Sequence, residues 1–408
     1  MKDETEKTGE MEKVRIFEKG KKGKLGGKPR VNEKLLEIKP SGIRKFFDLI
    51  LGRDDVISLG VGEPDFPTPW RIREEMIYSL ERGITSYTSN YGLEELREEI
   101  CRYYTKFGVE SQPSNVVVTS GVSEGFDIAV RSIINPGDFV LIPEPCYVSY
   151  EPLSTLAGGR VISIPTSPSF RLNYELIMEH SKAIDPKVLI LNYPANPTGV
   201  SYSKKELEEI ADAVIEKDMV VVSDEIYAEL SYKFPHRSIA SLEGMQDRTI
   251  ILNGFSKSFA MTGMRIGYVI APDDIIDAVL KIHQYSMLCA PTTAQIGAIE
   301  ALRNGEDELE MMRAEYLRRR NFFVRKLRNY LEIRKPEGAF YAFPSIVETG
   351  LTSEEFAEKL LFEKNVAVVP GNAFGESGEG FVRCAYAVSM DRLREAVERI
   401  IEFVESLK

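Results

Sequence analysis

One lysine and one arginine stand between two apolar segments in the middle of the chain. Lys257 follows the apolar residues 249–252, and Arg265, eight positions later, opens the apolar run 265–271. Because burying an unpaired ammonium group costs on the order of several kcal/mol, a lysine at the end of a buried strand needs a covalent or ionic partner. A neutral amine can form a Schiff base with an aldehyde, and an arginine can hold an anionic group of the same ligand. The alternative is a solvated loop lysine beside a structural arginine.

A glycine-containing turn follows another apolar segment. Residues 116–119 lead into Ser-Gly-Val-Ser-Glu-Gly at 120–125, where a helical pattern begins. Free backbone N–H groups and the helix dipole make such a turn suitable for binding phosphate. The same letters spell Gly-x-Ser-x-Gly, the nucleophile elbow of α/β-hydrolases, with Ser123 as the nucleophile. A hydrolase would also need a downstream histidine and an acid, and the sequence contains no HGGG-type segment for an oxyanion hole. The hydrolase alternative also leaves the lysine and the arginine unexplained.

Strand-like and helix-like patterns alternate between residues 115 and 223, with one helix predicted over 147–156, and further strands are predicted over 265–271 and 366–369. The near-continuous apolar runs are typical of strands buried on both faces, and amphipathic helical patterns separate them. This alternation predicts an α/β fold whose mostly parallel sheet is covered by helices on both sides. Ligands of such sheets bind outside the carboxyl ends of the strands, where residues 120–125, Asp224 and Lys257 all fall. The sequence therefore predicts one binding site at that edge of the sheet.

Length and composition narrow the classes of protein. The 408 residues are enough for two domains, and 43% hydrophobic with 28% charged residues is typical of a globular protein. No apolar run approaches the roughly 20 residues of a membrane helix, and the amino terminus is charged rather than signal-like. Four scattered cysteines fit neither a zinc site nor a disulfide framework, which favours a cytoplasmic location. A net charge of −11 argues against general nucleic-acid binding.

Several motifs in the chain occur together in one enzyme family. They are the Ser-Lys pair followed by an arginine eight positions later, Gly-Glu-Pro-Asp-Phe-Pro-Thr-Pro at 62–69, Asn-Pro-Thr-Gly at 196–199, and Asp224 three residues before Tyr227. From about residue 35 to 408 the chain resembles the fold-type I pyridoxal-phosphate (PLP) enzymes, specifically the class I/II aminotransferases related to aspartate and aromatic aminotransferases. The resemblance implies a three-layer α/β fold, with a large domain built on a mostly parallel sheet and a smaller α+β domain.

The resemblance also implies how the cofactor is held. Lys257 forms the Schiff base with PLP and later carries the proton between the substrate α-carbon and the cofactor. Asp224 keeps the ring nitrogen protonated, which makes the ring an electron sink. Tyr227 and Asn196 hydrogen-bond the phenolic oxygen, and Tyr147 stacks on the ring. For Asp224 taken without the resemblance, a helix cap or a metal ligand is the alternative, but no second ligand at a suitable spacing supports a metal site.

Other residues are assigned to the phosphate and the substrate by the same resemblance. The phosphate contacts are expected from Gly121, Val122, Ser123, Ser256, Arg265 and, across a dimer interface, Tyr87. The hydroxyl residue that the family usually places three positions before the lysine is replaced here by Gly254, and Met264 stands where many relatives have tryptophan. The substrate contacts are expected from Gly62, Asn196 and Arg383, with Arg383 binding the α-carboxylate. The peptide bonds before Pro145 and Pro197 are expected to be cis.

The activity implied is a ping-pong transfer of the amino group from an L-amino acid to a 2-oxo acid such as 2-oxoglutarate. An aromatic, neutral or aspartate side chain is expected on the donor, because segment 285–291 lacks the arginine that dicarboxylate-specific relatives contribute there. A carbon–sulfur β-lyase is the alternative on the same scaffold, since both reactions begin by removing the α-proton. We expect a homodimer with shared active sites in the cytoplasm, with neither nucleic acid nor membrane as a partner.

The domain organisation is predicted from composition together with the resemblance. Residues 1–30, rich in Lys, Glu and Gly, are expected to be a disordered extension. Residues 31–61 are expected to form an N-terminal arm and part of the small domain, including a helix over 42–51. The large PLP-binding domain spans 62–300, and the connector helix with the small C-terminal domain spans 301–408.

Overall fold

The computed structural model describes residues 24–25, 28–29, 31–36, 38, 42, 53 and 55–407. The chain divides into two compact units, residues 1–39 and 40–408. In the first unit, β1 (Lys24–Leu25) and β2 (Lys28–Pro29) pair in antiparallel fashion, and a 3₁₀ turn follows at Glu33–Leu36. Most of the predicted 1–30 extension and of the predicted helix 42–51 lies outside the described residues. The predicted domain boundaries at 30, 61 and 300 remain predictions.

The second unit contains a seven-stranded sheet. Its strands are short, almost fully buried runs of β-branched and apolar residues, which explains why the sequence signal for them is strong. The two pairings that involve β10 are antiparallel, and the other four are parallel. In spatial order the strands are β4 (Val116–Thr119), β10 (Gly267–Ile270), β9 (Thr249–Gly254), β8 (Val220–Asp224), β7 (Pro186–Asn192), β5 (Phe139–Glu144) and β6 (Arg160–Pro165).

Helices cover both faces of this sheet, and each face has its own apolar core. The side chains of a strand alternate between faces, so Val117 packs with one helix layer while Val116 and Val118 pack with the other. The first layer comprises α3 (Val122–Ile133), α4 (Tyr150–Ala157) and α7 (Asp273–Ser286). The second comprises α1 (Trp70–Glu81), α2 (Glu94–Tyr104), α5 (Tyr174–His180), α6 (Lys204–Glu216) and α8 (Thr292–Asn304). This three-layer α/β arrangement confirms the predicted fold class.

The C-terminal part packs around small sheets. Strands β11 (Tyr341–Ala342), β14 (Val382–Ala385) and β13 (Val369–Pro370) pair in that order, all antiparallel, while β12 (Val366–Ala367) pairs in parallel with β3 (Ile57–Ser58). The helices of this part are α9 (Glu306–Leu327), α10 (Ser353–Lys364) and α11 (Met390–Ser406). Within the described residues, no helix has both the length and the apolar character needed to cross a membrane.

Three predicted elements differ from the structure near the predicted site. The strand expected over 265–271 begins at Gly267, because residues Thr262–Met264 form a 3₁₀ turn and Arg265 has a positive φ of 51°. The helix expected from Tyr147 begins at Tyr150, after a turn. The strand expected over 366–369 is two strands, β12 and β13, which pair with different partners. All three differences fall at an end or a break of regular structure.

Packing between α10 and α11 supports the C-terminal part. The ring of Phe403 is fully buried and lies edge-on to Phe356 with 5.2 Å between centroids, whereas Phe362 on α10 is 63% exposed. We expect Phe403→Ala to lower the free energy of unfolding by about 3–5 kcal/mol, because truncation of a buried ring leaves a cavity. Phe362→Ala is the matched control and should change it by less than about 0.5 kcal/mol. Urea unfolding measures both, and equal effects would contradict this view of the core.

Candidate active site

The predicted site residues lie where strands of the large sheet end. Strands β7, β8 and β9 run in parallel, so their carboxyl ends meet at one edge. Asn192 and Asp224 are the paired last residues of β7 and β8, and Lys257 follows the end of β9. The predicted cis peptide bonds at Glu144-Pro145 and Asn196-Pro197 are present at the same edge. The folded chain thus brings residues that are far apart in sequence to one location.

Lys257 is a half-buried lysine whose amine is readily deprotonated. Its Nζ donates a hydrogen bond to the carbonyl oxygen of Gly62 at 2.6 Å. Burial lowers the pKa of the Lys257 amine to about 8, although the Glu63 carboxylate opposes the shift. The loop that carries Lys257 is fixed by the buried rings of Phe255 and Phe259 in the core beneath it. A fixed amine that is partly neutral near physiological pH can act as a nucleophile or a base.

Asp224 is a buried carboxylate with a raised pKa. Burial raises the pKa of Asp224 to about 6, while the hydroxyl of Tyr150 donates to Oδ2 at 2.6 Å and opposes the shift. The backbone N–H of Ile226 donates to Oδ1 at 3.2 Å. The Asn192 amide donates to the backbone carbonyl of Asp224 at 2.9 Å and thereby fixes the strand end. A carboxylate in this environment is stabilised in its ionised form by a cationic ring nitrogen.

Arg383 reaches the same cleft from β14. Its Nη1 donates to Oδ1 of Asn196 at 2.9 Å, and its Nη2 donates to the carbonyl oxygen of Gly60 at 2.6 Å. Its guanidinium carbon lies 4.6 Å from the ring centroid of Tyr341 and 4.9 Å from that of Phe374. Arg383 is 2% exposed, and its Nε has no hydrogen-bond partner among the described residues. A guanidinium held in this way is prepared to bind a carboxylate.

The turn at 120–125 lies against Arg265. Gly121 has a φ of 80°, a conformation that favours glycine, and a Cβ placed on it would lie 2.6 Å from Nη2 of Arg265, so a side chain there would also displace the guanidinium. A Cβ on Gly267 would likewise lie 2.8 Å from the backbone nitrogen of Val122, which shows how closely β10 packs on the turn. Glu124 accepts hydrogen bonds from the Ser120 backbone N–H and from His283 on α7. Exposed backbone donors and a guanidinium suit a phosphate.

These groups together fit PLP. The amine of Lys257 matches the aldehyde, the buried Asp224 matches a basic ring nitrogen, and the turn beneath Arg265 matches the phosphate. Tyr227 is buried and Tyr147 is half-buried at the same edge, which provides a hydroxyl and an aromatic face for a planar ring.

Comparison with known proteins identifies the family. The family model described as "Aminotransferase class I and II" matches residues 54–400. The chain belongs to this family. It is 45% identical to an aspartate aminotransferase of Pyrococcus abyssi (93% of this chain, 99% of that one) and 42% identical to aromatic-amino-acid aminotransferase 2 of Thermococcus litoralis (93% and 99%). The crystal structure of an aromatic aminotransferase from Pyrococcus horikoshii is 44% identical, with a TM-score of 0.84 over 89% of this chain and 99% of that one.

Membership in the class I and II aminotransferases confirms the resemblance seen in the sequence. The protein is a PLP-dependent transferase with the fold of these enzymes. The histidines do not support the hydrolase alternative, because none of them hydrogen-bonds Ser123 within the described residues. His180 contacts the carbonyl oxygen of Leu176, His236 contacts Glu225, and His283 contacts Glu124, next to Ser123 in the sequence.

Three predicted site residues lie at the surface of this aminotransferase. Tyr87 is 81% exposed, unlike the buried residues at the strand ends. Ser123, at the start of α3, and Arg265 are also exposed, whereas Ser256 is half-buried beside Lys257. Sequence analysis missed two residues that contact the site, Tyr150 and Tyr341, and one that connects the strand ends next to it, Glu225. For Glu225 the available signal was a second acid directly after Asp224 in an apolar stretch, whereas the two tyrosines resemble ordinary core residues.

The lowered pKa of Lys257 gives the aminotransferase a testable reactivity. Above pH 8 its amine is mostly neutral, so its reductive methylation by formaldehyde and cyanoborohydride in the cofactor-free protein should be half-maximal near pH 8. Peptide mass spectrometry across a pH series measures the rate at this residue, and Nα-acetyllysine amide is the reference compound. A half-maximum near the ordinary value of 10.5 would contradict the desolvated environment.

Proposed function

We propose that this aminotransferase transfers the amino group of an L-amino acid to a 2-oxo acid, with the strand-end residues in the roles expected from the sequence. The observation that carries the proposal is the presence of Lys257, Asp224 and Arg383 in one desolvated cleft. The first has a lowered pKa, the second has a raised pKa, and the third is an almost fully buried cation. Perturbed titratable groups of this kind concentrate at functional sites.

The residues that would hold the cofactor are those already described. PLP, when bound, supplies an electron sink for the negative charge that develops at the substrate α-carbon. Asp224 would bind the ring nitrogen, Tyr147 would cover one face of the ring, and Tyr227 with Asn196 would bind the phenolic oxygen. The phosphate would be bound by Gly121, Val122, Ser123, Ser256 and Arg265. Gly62 would lie on the substrate side, and its carbonyl oxygen accepts a hydrogen bond from the Lys257 amine.

Lys257 and Arg383 would act on the substrate itself. With a pKa of about 8, Nζ of Lys257 is neutral in a substantial fraction of molecules near pH 7.5 and can accept the proton from the substrate α-carbon. Arg383 would bind the α-carboxylate, because its guanidinium is fixed by Asn196 and Gly60 before the substrate arrives. Such fixation reduces the entropy lost on binding and orients the α-carbon toward Lys257.

The substrate pair is proposed from the sequence and from the relatives. Segment 285–291 contains no arginine, which favours an aromatic or neutral side chain on the amino donor. Relatives of similar identity are named as aspartate and as aromatic aminotransferases, so aspartate stays among the proposed donors. We propose 2-oxoglutarate as the acceptor.

The activity is tested by absorption spectroscopy on purified protein loaded with PLP. L-phenylalanine, L-aspartate and L-glutamate are added one at a time, and we expect loss of the visible band with release of one equivalent of the matching 2-oxo acid. Lys257→Ala should slow this half-reaction by about 10²–10⁴-fold, because the general base is removed. Pyruvate released from a sulfur-containing amino acid with the visible band retained would favour the lyase. Failure of the unmodified protein to develop a visible band would overturn the role of Lys257.

A homodimer is proposed from the surface near the site. Tyr87 and Tyr285 are 81% and 88% exposed, and Met287 and Leu288 are 44% and 40% exposed. Their segments adjoin each other, since the Asn90 side chain donates to the carbonyl oxygen of Leu288 at 2.6 Å. An apolar, aromatic surface of this kind is suited to cover a second copy of the chain, with Tyr87 reaching the partner's phosphate.

Free thiols on all four cysteines support a cytoplasmic location.

If Tyr87 contacts the cofactor phosphate across the dimer, its hydroxyl should contribute to the affinity for PLP. Tyr87→Phe should raise the dissociation constant of PLP about tenfold or more, because a hydrogen bond to a charged group is lost. Tyr78→Phe is the control, since it removes a hydroxyl from a half-exposed tyrosine on α1 outside the proposed site. Fluorescence titration of the cofactor-free protein measures the affinity, and sedimentation velocity shows whether the dimer persists. Equal affinities in a protein that remains dimeric would remove Tyr87 from the phosphate site.

A further inference from the structure

Tyr341 on β11 contacts three residues of the proposed site: Tyr227, Arg383 and Gly62. It is 1% exposed, and its hydroxyl lies 2.7 Å from the hydroxyl of Tyr227. Its ring lies beneath the guanidinium of Arg383, 4.6 Å from the guanidinium carbon. A Cβ on Gly62 would lie 2.6 Å from the Tyr341 hydroxyl, so this hydroxyl also packs on the backbone that holds Lys257.

Either hydroxyl could be the donor in the hydrogen bond between Tyr227 and Tyr341. A phenol has one proton to donate, so one member of the Tyr227–Tyr341 pair donates and the other accepts. If Tyr227 donates to Tyr341, it has no proton left for the phenolic oxygen of PLP. If Tyr341 donates, Tyr227 keeps its own proton for the cofactor. The direction of this one hydrogen bond therefore decides whether Tyr227 can perform the role proposed for it.

The charges around the pair favour Tyr341 as the donor. The cation of Arg383 lies over the Tyr341 ring and withdraws charge from it, which strengthens its O–H as a donor. Burial raises the pKa of both phenols, and the Arg383 cation opposes the shift of each. The neighbouring Tyr341 adds to the shift of Tyr227, so the pKa of Tyr227 is raised well above its ordinary value and that of Tyr341 is raised less. The Asp224 carboxylate raises the pKa of Tyr227, and the nearby Tyr147 raises that of Tyr341. The more acidic hydroxyl of a pair is the better donor.

We propose that Tyr341 is a positioning residue that donates its proton to the Tyr227 hydroxyl, so that Tyr227 donates its own proton to the phenolic oxygen of the cofactor. The inference rests on the proposed role of Tyr227. Because Arg383 stacks on the same ring, Tyr341 links the group that binds the substrate carboxylate to the group that adjusts the charge on the cofactor oxygen. Pure packing by Tyr341 would need its ring but not its hydroxyl.

Tyr341→Phe separates these possibilities because it keeps the ring and removes the hydroxyl. The readout is the apparent pKa of the bound PLP chromophore, measured from the change in the visible band of the PLP-loaded protein with pH. Hydrogen-bond donation to the phenolic oxygen favours the deprotonated state, in which that oxygen carries more negative charge. A weakened Tyr227 donor should therefore raise this apparent pKa, by about 0.5–1 pKa unit. The substrate KM should change less than about threefold, because a phenyl ring still supports Arg383.

Two further variants make the test decisive. Tyr227→Phe should raise the same apparent pKa, and the double variant should match Tyr227→Phe alone, since Tyr341 acts through Tyr227. Tyr386→Phe is the matched control, because its buried hydroxyl donates to the carbonyl oxygen of Ala339 at 3.1 Å and not to the site. Circular dichroism checks the fold of each variant.

Each result bears on a different claim. A lowered apparent pKa in Tyr341→Phe would show that Tyr227 donates to Tyr341 and would overturn the proposal. An unchanged apparent pKa in Tyr341→Phe would also overturn it. So would a shift in the double variant that equals the sum of the two single shifts. If Tyr227→Phe shifts the pKa but Tyr341→Phe does not, the role of Tyr227 stands and the inference about Tyr341 fails. If neither variant shifts it, the proposed role of Tyr227 fails with it.

Discussion

Desolvation of ionisable groups in one cleft is the constraint on which the site depends. The cleft lowers the pKa of Lys257 to about 8 and raises that of Asp224 to about 6, so two groups with ordinarily distant pKa values are brought within reach of neutral pH. The same burial holds Arg383 in a fixed position with a donor left unpaired by the described residues. A cofactor with an aldehyde carbon and a basic ring nitrogen, together with a substrate that carries a carboxylate, would supply what each group lacks, and their binding would offset the folding cost of the buried charges.

A second buried carboxylate keeps the strand ends in register. Glu225 is fully buried and accepts hydrogen bonds from the hydroxyl of Ser238 at 2.7 Å and from Nε2 of His236 at 3.0 Å. The hydroxyl of Tyr104 joins this carboxylate to Asn253 on β9, which donates to that hydroxyl at 2.8 Å. Strands β8 and β9, which carry Asp224 and lead to Lys257, are thus connected by side chains as well as by the ladder. The network connects the two strand ends, although Nδ1 of its member His236 has no hydrogen-bond partner among the described residues.

The sequence predicted the sheet and the strand-end residues because both leave local signals. An acid after an apolar strand and a lysine between two such strands break the apolar pattern, and the pattern itself follows from burial. The supporting tyrosines leave no such signal, since Tyr150 and Tyr341 lie in segments where an aromatic core residue is expected. The positive φ of Arg265 was likewise hidden, because arginine has no preference for that conformation. Tertiary contacts, rather than local propensity, determine these features.

The register of one short sheet places Arg383 and Tyr227 on either side of Tyr341. Ala385 on β14 pairs with Tyr341 on β11, and Arg383, two residues earlier, projects on the same face as Ala385. This diagonal relation brings the guanidinium over the Tyr341 ring, whose hydroxyl meets Tyr227 beside the end of β8. A slip of one residue would turn Arg383 away and present Cys384 instead, because alternate residues face opposite sides of a strand. The pairing of the small sheet therefore positions both Arg383 and the Tyr341 hydroxyl that meets Tyr227.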